Sequence, residues 1–266
     1  MVIFCSLRLV VSYGFGLTVL RVISHQISKN RLINVKGQQI CIGEFMEIEK
    51  YFTGPKIVFL GAHFDDVEFG CGALIYRLCK FMKENVYIAV FSAQNKNAKG
   101  EVQLKRNEVE LRDSLNHLGV LSGNIFLGDL SGQIFDSSQQ AIREYLLKVR
   151  RDINPSFVFY PSKSDIHQDH QSLANESYRI FRNENCFGYE IIRSSLQFLP
   201  NFYIKINKEE IERKAEAVLK YCSQKHESAG YYFSEEAIFS LSQYRGTQIG
   251  VQYAEAFECY KAVLKE

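Results

Sequence analysis

From Lys56 onward the chain switches repeatedly between short apolar runs and longer stretches with a helical period. The runs "KIVFLGA", "VYIAVFSA", "NIFLGD" and "PSFVFYPS" are β-branched or aromatic and bounded by Gly, Pro or Asn. They read as buried strands. Between and after them, "CGALIYRLCKFMKEN", "KRNEVELRDSLNHLGV", "SQQAIREYLLKVRRDI" and "DHQSLANESYRIFRN" repeat apolar residues every three or four positions and read as helices. Gly119 marks a helix stop, and Ser137 or Ser138 a helix start. Alternation of this kind predicts a doubly wound α/β fold with a mainly parallel sheet. Past Tyr189 the pattern mixes: "LQFLPNFYIKI" is strand-like, "KEEIERKAEAVLKYCSQ" helical, and "VQYAEAFECYKAVL" reads as a closing amphipathic helix.

In doubly wound sheets, ligands bind beyond the carboxyl ends of the strands. Two ionisable clusters fall there. "HFDD" follows the first strand and carries His63, Asp65 and Asp66; "SDIHQDHQ" follows the fourth and carries His167, Asp169 and His170. Residues three apart on a helical turn share a face. Two imidazoles and a carboxylate make a zinc site with an open position, and a second carboxylate could accept a proton from bound water. Taken singly, each cluster has a plainer reading: "DD" can cap a helix, and "HQDH" can be a solvated helix start. Their coincidence at one sheet edge favours chemistry. "GCGALI" lacks the spacing of a phosphate loop.

Composition narrows the classes. The chain has 266 residues, 46% of them apolar, enough for one large domain. Net charge is +2 with the basic residues scattered, so nucleic acid is not an expected partner. Seven cysteines, an odd number with no C-x-x-C pair, argue against a disulfide framework and for a reducing, cytoplasmic setting. The first 25 residues are apolar, but Arg8 and Arg21 bracket only 12 uncharged positions, short for a membrane span. Residues 1–45 are therefore read as an amino-terminal extension, as an extra helix or a poorly specified segment. Weak membrane association through residues 1–30 is the alternative, and 46–266 form the main domain. The aromatic segment "SAGYYFSEE" suits a sugar pocket, a core or an oligomer contact.

"AHFDDVEFGCGALI" resembles the A-H-P-D-D-x-E-x-G-x-G-G signature of the LmbE/PIG-L family of metal-dependent N-deacetylases, and "PSKSDIHQDH" resembles its second motif. "RNEVELRDSLNHLG", "GYEII", "KAEAVLKYCSQ", "YRGTQIG" and "YAEAF" resemble further segments in the right order, so the likeness spans about residues 55–260. It implies a Rossmann-like three-layer α/β fold and removal of an acetyl group from an N-acetylated sugar. It also implies Zn2+ held by His63, Asp66 and His170, with Fe2+ or Co2+ as other metals such a donor set accepts. Asp65 would be the general base, His167 the oxyanion group, and Asp169 a partner orienting His167. Arg106, Tyr189 and Glu190 are implied near the substrate. Phe64 departs from the family's proline and Ala73 from a glycine. The alternatives are an amidase for another small amide, or a silent sugar-binding protein on the same fold.

Overall fold

Ile57 to Leu60 have no solvent exposure at all, so strand β5 (Ile57–Gly61) is covered on both faces, as its unbroken apolar run requires. It lies between β8 and β6 inside a seven-stranded sheet ordered β10–β11–β9–β8–β5–β6–β7. The other strands are β6 (Val86–Ser92), β7 (Ile125–Leu130), β8 (Phe157–Pro161), β9 (Asn185–Tyr189), β10 (Phe202–Ile206) and β11 (Tyr253–Lys261). The computed structural model describes residues 10–13, 16–19, 31–35, 38–42, 52, 54–92, 104–130, 139–224 and 231–263.

The chain runs outward from β5 to β6 and β7, then returns to the other side of β5 to form β8 and β9. All these neighbours pair in parallel. The strand order reverses between β5 and β8, and the crevice at such a switch point is where doubly wound folds hold ligands. Both ionisable clusters follow these two strands.

Alternate side chains of the central strands feed two separate cores. Val58, Leu60, Val158 and Tyr160 pack with Ile142, Leu146, Val149, Leu173 and Phe181. That core lies beneath helices α3 (Gln139–Ile153) and α4 (Gln168–Ile180), which pack on one another. The intervening positions carry an aromatic ladder across the sheet: Phe59 stacks on Phe159 at 4.8 Å, and Phe159 on Phe187 at 4.9 Å. Helix α1 (Asp66–Met82) packs with α5 (Lys208–Val218), which also meets α2 (Leu104–His117) and α6 (Glu235–Gln248). Gly119 takes φ +89° after α2, the left-handed stop that its sequence position predicts.

Three sequence expectations change. The closing segment is not a helix but strand β11, antiparallel to both β9 and β10. Its two glutamates mimic the polar face of a helix, but both are buried and bonded. Glu255 accepts from the amides of Ala73 and Leu74 and from Lys214 Nζ, and Glu258 from Ser162 Oγ and Leu199 N. Helix α1 begins at Asp66 rather than Cys71. Helix α6, capped by Ser234, was not legible as a separate element in the sequence.

The chain divides into compact units at Met1–Thr53 and Gly54–Glu266, a boundary later than residue 45. The described residues of the first unit form two antiparallel strand pairs rather than a helix, β1 (Val10–Tyr13) with β2 (Gly16–Val19) and β3 (Arg31–Val35) with β4 (Gln38–Ile42). β-Branched residues in the first pair favour strands over a helix. The expected caps Ser137 and Ser138 lie outside the described residues. Among the described residues, no helix is long and apolar enough to cross a membrane.

Candidate metal centre and active site

The turn after β5 is set by Asp65, which holds φ +121° at the entry to α1. This conformation is costly for any residue but Gly, on the order of 1–3 kcal/mol, and is kept where function needs it. Asp65 occupies the N-cap position, yet its carboxylate makes no capping bond. The plain reading of "DD" as a helix cap therefore does not account for Asp65. Asp66 starts the helix, and its Oδ2 accepts from the His63 amide at 2.8 Å, which folds the motif back on itself.

The glycines that follow serve packing. A Cβ on Gly70 would lie 2.2 Å from the Tyr189 ring, and one on Gly72 would lie 2.9 Å from Lys214 Cγ. They let α1 sit close to β9 and α5. Phe64, in place of proline, is buried in the core and leaves the turn polar only at His63, Asp65 and Asp66.

The second cluster arrives from the loop after β8. His170 Nε2 stands 3.3 Å from His63 Nδ1 and 3.3 Å from Asp66 Oδ1, and His63 Nδ1 stands 3.6 Å from Asp66 Oδ2. Three donors around one tetrahedral zinc at ~2.0–2.2 Å stand about 3.3–3.6 Å apart. The triangle therefore fits such a cation. The nitrogens that face away are backed by carboxylates: His63 Nε2 by Asp169 at 3.0 Å and His170 Nδ1 by Asp165 at 3.0 Å. Backing of this kind fixes the ring and the tautomer of a metal-binding imidazole. A second grouping, His63 with His167 and Asp169, shares one ring. It uses the opposite nitrogen of His63, already bonded to Asp169, so the first grouping fits a metal better.

Asp169, expected to orient His167, touches both His63 and His167: its carboxylate Oδ2 meets His63 Nε2 at 3.0 Å, and its backbone amide donates to His167 Nδ1 at 3.2 Å. The second contact follows from helix geometry, since His167 is the N-cap of α4 and Asp169 lies in its first turn. With Nδ1 accepting, the His167 proton resides on Nε2. His167 is exposed, its ring 4.5 Å from that of His170 and 4.9 Å from that of His63.

Charge in the metal-free site is unbalanced toward the negative. Burial alone would lower His63, but Asp169 and Asp66 outweigh it and raise the imidazole to about 10. Burial also works against charge on His170, yet Asp66 and Asp165 raise it to about 9. Burial and the Asp66 charge push Asp65 well above the usual carboxylate range. Burial and the neighbouring rings of His170 and His63 lower His167. A cation among these groups would replace the protons that the imidazoles otherwise hold.

A pH dependence follows. Imidazoles raised in the folded state contribute stability fully present below about 6.5 and lost as pH rises through their folded values. Metal-free protein should thus lose thermal stability between about pH 6.5 and pH 10. Metal-loaded protein, whose imidazoles are bound neutral, should not show that loss. Melting curves of both forms across this range check the expectation.

The remaining sequence candidates have the following surroundings. The Tyr189 hydroxyl donates to the Leu60 carbonyl at 2.7 Å, and the residue is fully buried, so it serves the fold. Glu190 forms a two-point ion pair with Arg245 at 2.8 and 2.6 Å. Arg106 lies in α2, with its side chain outside the described residues. Cys71 is buried and its thiol pushed up by burial, which disfavours a thiolate ligand. The residue that sequence reasoning left unassigned is Asp165. Its only signal was its position two residues before His167.

Known proteins resemble this chain in sequence and in fold. Residues 58–181 match the family model of the GlcNAc-PI de-N-acetylases, PIG-L. The Escherichia coli (strain K12) protein named "uncharacterized deacetylase YaiS" is 28% identical over 171 residues, 63% of this chain and 90% of that protein. Among solved structures, the N,N'-diacetylchitobiose deacetylase of Pyrococcus horikoshii superposes with a TM-score of 0.63 at 20% identity, covering 79% of this chain and 85% of that one. A 4-carboxy-2-hydroxymuconate hydratase of Pseudomonas putida KT2440 reaches the same TM-score at 16% identity, over 79% of this chain and 98% of that one. At these identities the structural likeness is one of fold, and the fold hosts more than one reaction. The family itself is metal-dependent, and its named deacetylases are hydrolases of amide C–N bonds. The signature residues His63, Asp65, Asp66, His167 and His170 all lie within residues 58–181, the stretch that matches the PIG-L (LmbE-like) family model.

Proposed function

We propose that this chain is a zinc-dependent deacetylase that removes the acetyl group from an N-acetylated sugar of the N-acetylglucosamine type. The observation that carries the reading is the donor triangle of His63, Asp66 and His170, each imidazole backed by a carboxylate, with Asp65 beside it and not engaged in capping. His63, Asp66 and His170 would hold the ion, which when bound polarises an amide carbonyl and acidifies water.

The protein's own groups do the rest. Asp65, held beside the triangle by its unusual backbone, accepts a proton from the water that adds to the acetamide carbon. His167 presents Nε2–H to the oxygen that gains negative charge. The C–N bond then breaks, the amine leaves with the proton that Asp65 took up, and acetate remains. Asp165 and Asp169 keep the two buried imidazoles in register throughout. The substrate class is supported by the family match and by the named activities of the relatives. Cys71, Cys79, Cys186, Cys222 and Cys259 are free thiols, which supports a reducing, cytoplasmic setting.

The test is acetate release from a panel of N-acetylated sugars: free, oligomeric, nucleotide-linked and lipid-linked. Release from at least one, abolished by a chelator and restored by zinc, is the expected result. Release only from non-sugar amides would move the protein to another amidase class. No release from any amide by well-folded, metal-loaded protein would contradict the deacetylase reading.

A further inference from the structure

One buried carboxylate touches more of the site than its position in the sequence suggests. Asp165 has no solvent exposure. Its Oδ2 lies 3.0 Å from His170 Nδ1 and accepts from Ser194 Oγ at 2.9 Å and Ser195 Oγ at 3.0 Å. Its Oδ1 accepts from the backbone amide of His167 at 2.8 Å. The neighbouring Ile166 amide donates to the Ser194 carbonyl at 3.0 Å. Ser195 Oγ in turn accepts from the Ile191 amide at 2.8 Å. One side chain therefore joins an imidazole of the donor triangle, the backbone of the oxyanion residue and the turn at 191–195.

That turn reaches back to the first motif. It carries Arg193, whose guanidinium lies over the Tyr232 ring at 5.3 Å. Tyr232 packs on Phe69, in the first turns of α1, at 5.5 Å, and the charges of Asp65 and Asp66 reach its phenol. Arg193 and Tyr232 thus stand at the rim of the site on the side of the catalytic aspartate. The chain closes a circuit: His170, Asp165, Ser194 and Ser195, Arg193, Tyr232, Phe69, and back to Asp66.

We propose that Asp165 is a positioning residue that couples the metal ligand His170 to the 191–195 turn, so that filling the metal site tightens the rim formed by Arg193 and Tyr232. The physical basis is that Oδ2 serves three partners at once. An imidazole drawn onto a cation fixes the carboxylate, and a fixed carboxylate fixes both serine hydroxyls. Coupling between binding and loop order is reciprocal, so whatever zinc adds to the order of the turn, the ordered turn adds equally to zinc affinity. The inference rests on the metal site proposed above but not on the sugar substrate.

The experiment uses the full chain with zinc as the probe. Zinc affinity is measured by chelator competition, and hydrogen exchange of the 191–195 amides is followed with and without zinc. In wild type, zinc should slow exchange at 191–195. Asp165→Asn should bind zinc about 10–100-fold more weakly, the usual effect of losing a carboxylate behind a metal-bound imidazole. At pH values below about 9, where the His170–Asp165 contact stabilises the fold, its metal-free melting point should fall, and zinc should no longer slow exchange at 191–195, an effect a purely structural role would not produce. The double variant Ser194→Ala/Ser195→Ala should keep most of its zinc affinity but lose the zinc-dependent slowing. Wild-type zinc affinity in Asp165→Asn, or zinc that leaves exchange at 191–195 unchanged in wild type, would overturn the proposal. The second measurement needs no variant. Zero zinc stoichiometry in wild type would instead sink the metal site, whereas absence of acetate release would leave this coupling intact.

Discussion

Asp65→Ala is expected to lower kcat by about 10²–10⁴-fold, the range for removing a general base, while the protein keeps its metal. Three observations set Asp65 apart from its neighbour. Asp66 is part of the donor triangle and accepts from the His63 amide. Asp65 makes no capping bond and is held at φ +121°. Burial beside the Asp66 charge raises its proton affinity, the direction that suits a group which must take up a proton during turnover. Asp65→Gly sharpens the test. Glycine tolerates the left-handed backbone and carries no charge, so this variant should be inactive yet at least as stable as wild type. The checks are kcat, metal content and thermal midpoint for both variants. Loss of metal in parallel with activity would place Asp65 among the ligands and contradict the division of roles.

Glu255→Ala should destabilise the protein by about 3–5 kcal/mol, the typical penalty for stripping a buried charge of its partner. Lys214 and Glu255 have side chains only 4% and 2% exposed and meet at 2.8 Å, so little water can compensate. The same carboxylate also takes the amides of Ala73 and Leu74 in α1, and both would lose that bond. A domain's whole stability is about 5–15 kcal/mol, so this variant would fold marginally. Because α1 begins at Asp66, the loss should reach the metal site as well. Replacing the pair together, Lys214→Met with Glu255→Leu, should recover a large part of the loss by removing the uncompensated charge. Urea unfolding midpoints of the two variants check both statements. A loss below about 1 kcal/mol for Glu255→Ala would show that the pair contributes little more than a surface ion pair does.

The central architecture was legible because strands and helices with buried faces print their periods on the sequence. β5 and β8 are covered on both sides, and their runs are unbroken. The two clusters were legible for the same reason, since each begins where such a run stops. What could not be read was polarity buried by tertiary contact. Glu255 and Glu258 disguised β11 as a helix, although each is bonded inside the fold. The contact of the Asp169 carboxylate with His63 could not be read, because spacing along a helix start does not reveal which residue of a distant strand end a carboxylate meets. Tyr189 and Glu190 follow a strand toward the site, but their polar ends are already used by Leu60 and Arg245. Asp165 carries no periodic signal at all. Its role appears only when β8, α4 and the 191–195 turn are brought together.

The central claim is a single cation held by His63, Asp66 and His170, and metal stoichiometry tests it most directly. Full-length wild type, His170→Ala and Asp65→Ala are purified, exposed to zinc, desalted and assayed by elemental mass spectrometry, with circular dichroism to verify folding. The account predicts about one zinc per chain for wild type and Asp65→Ala, and essentially none for His170→Ala. Well-folded wild type without metal, or His170→Ala with a full equivalent, would contradict it.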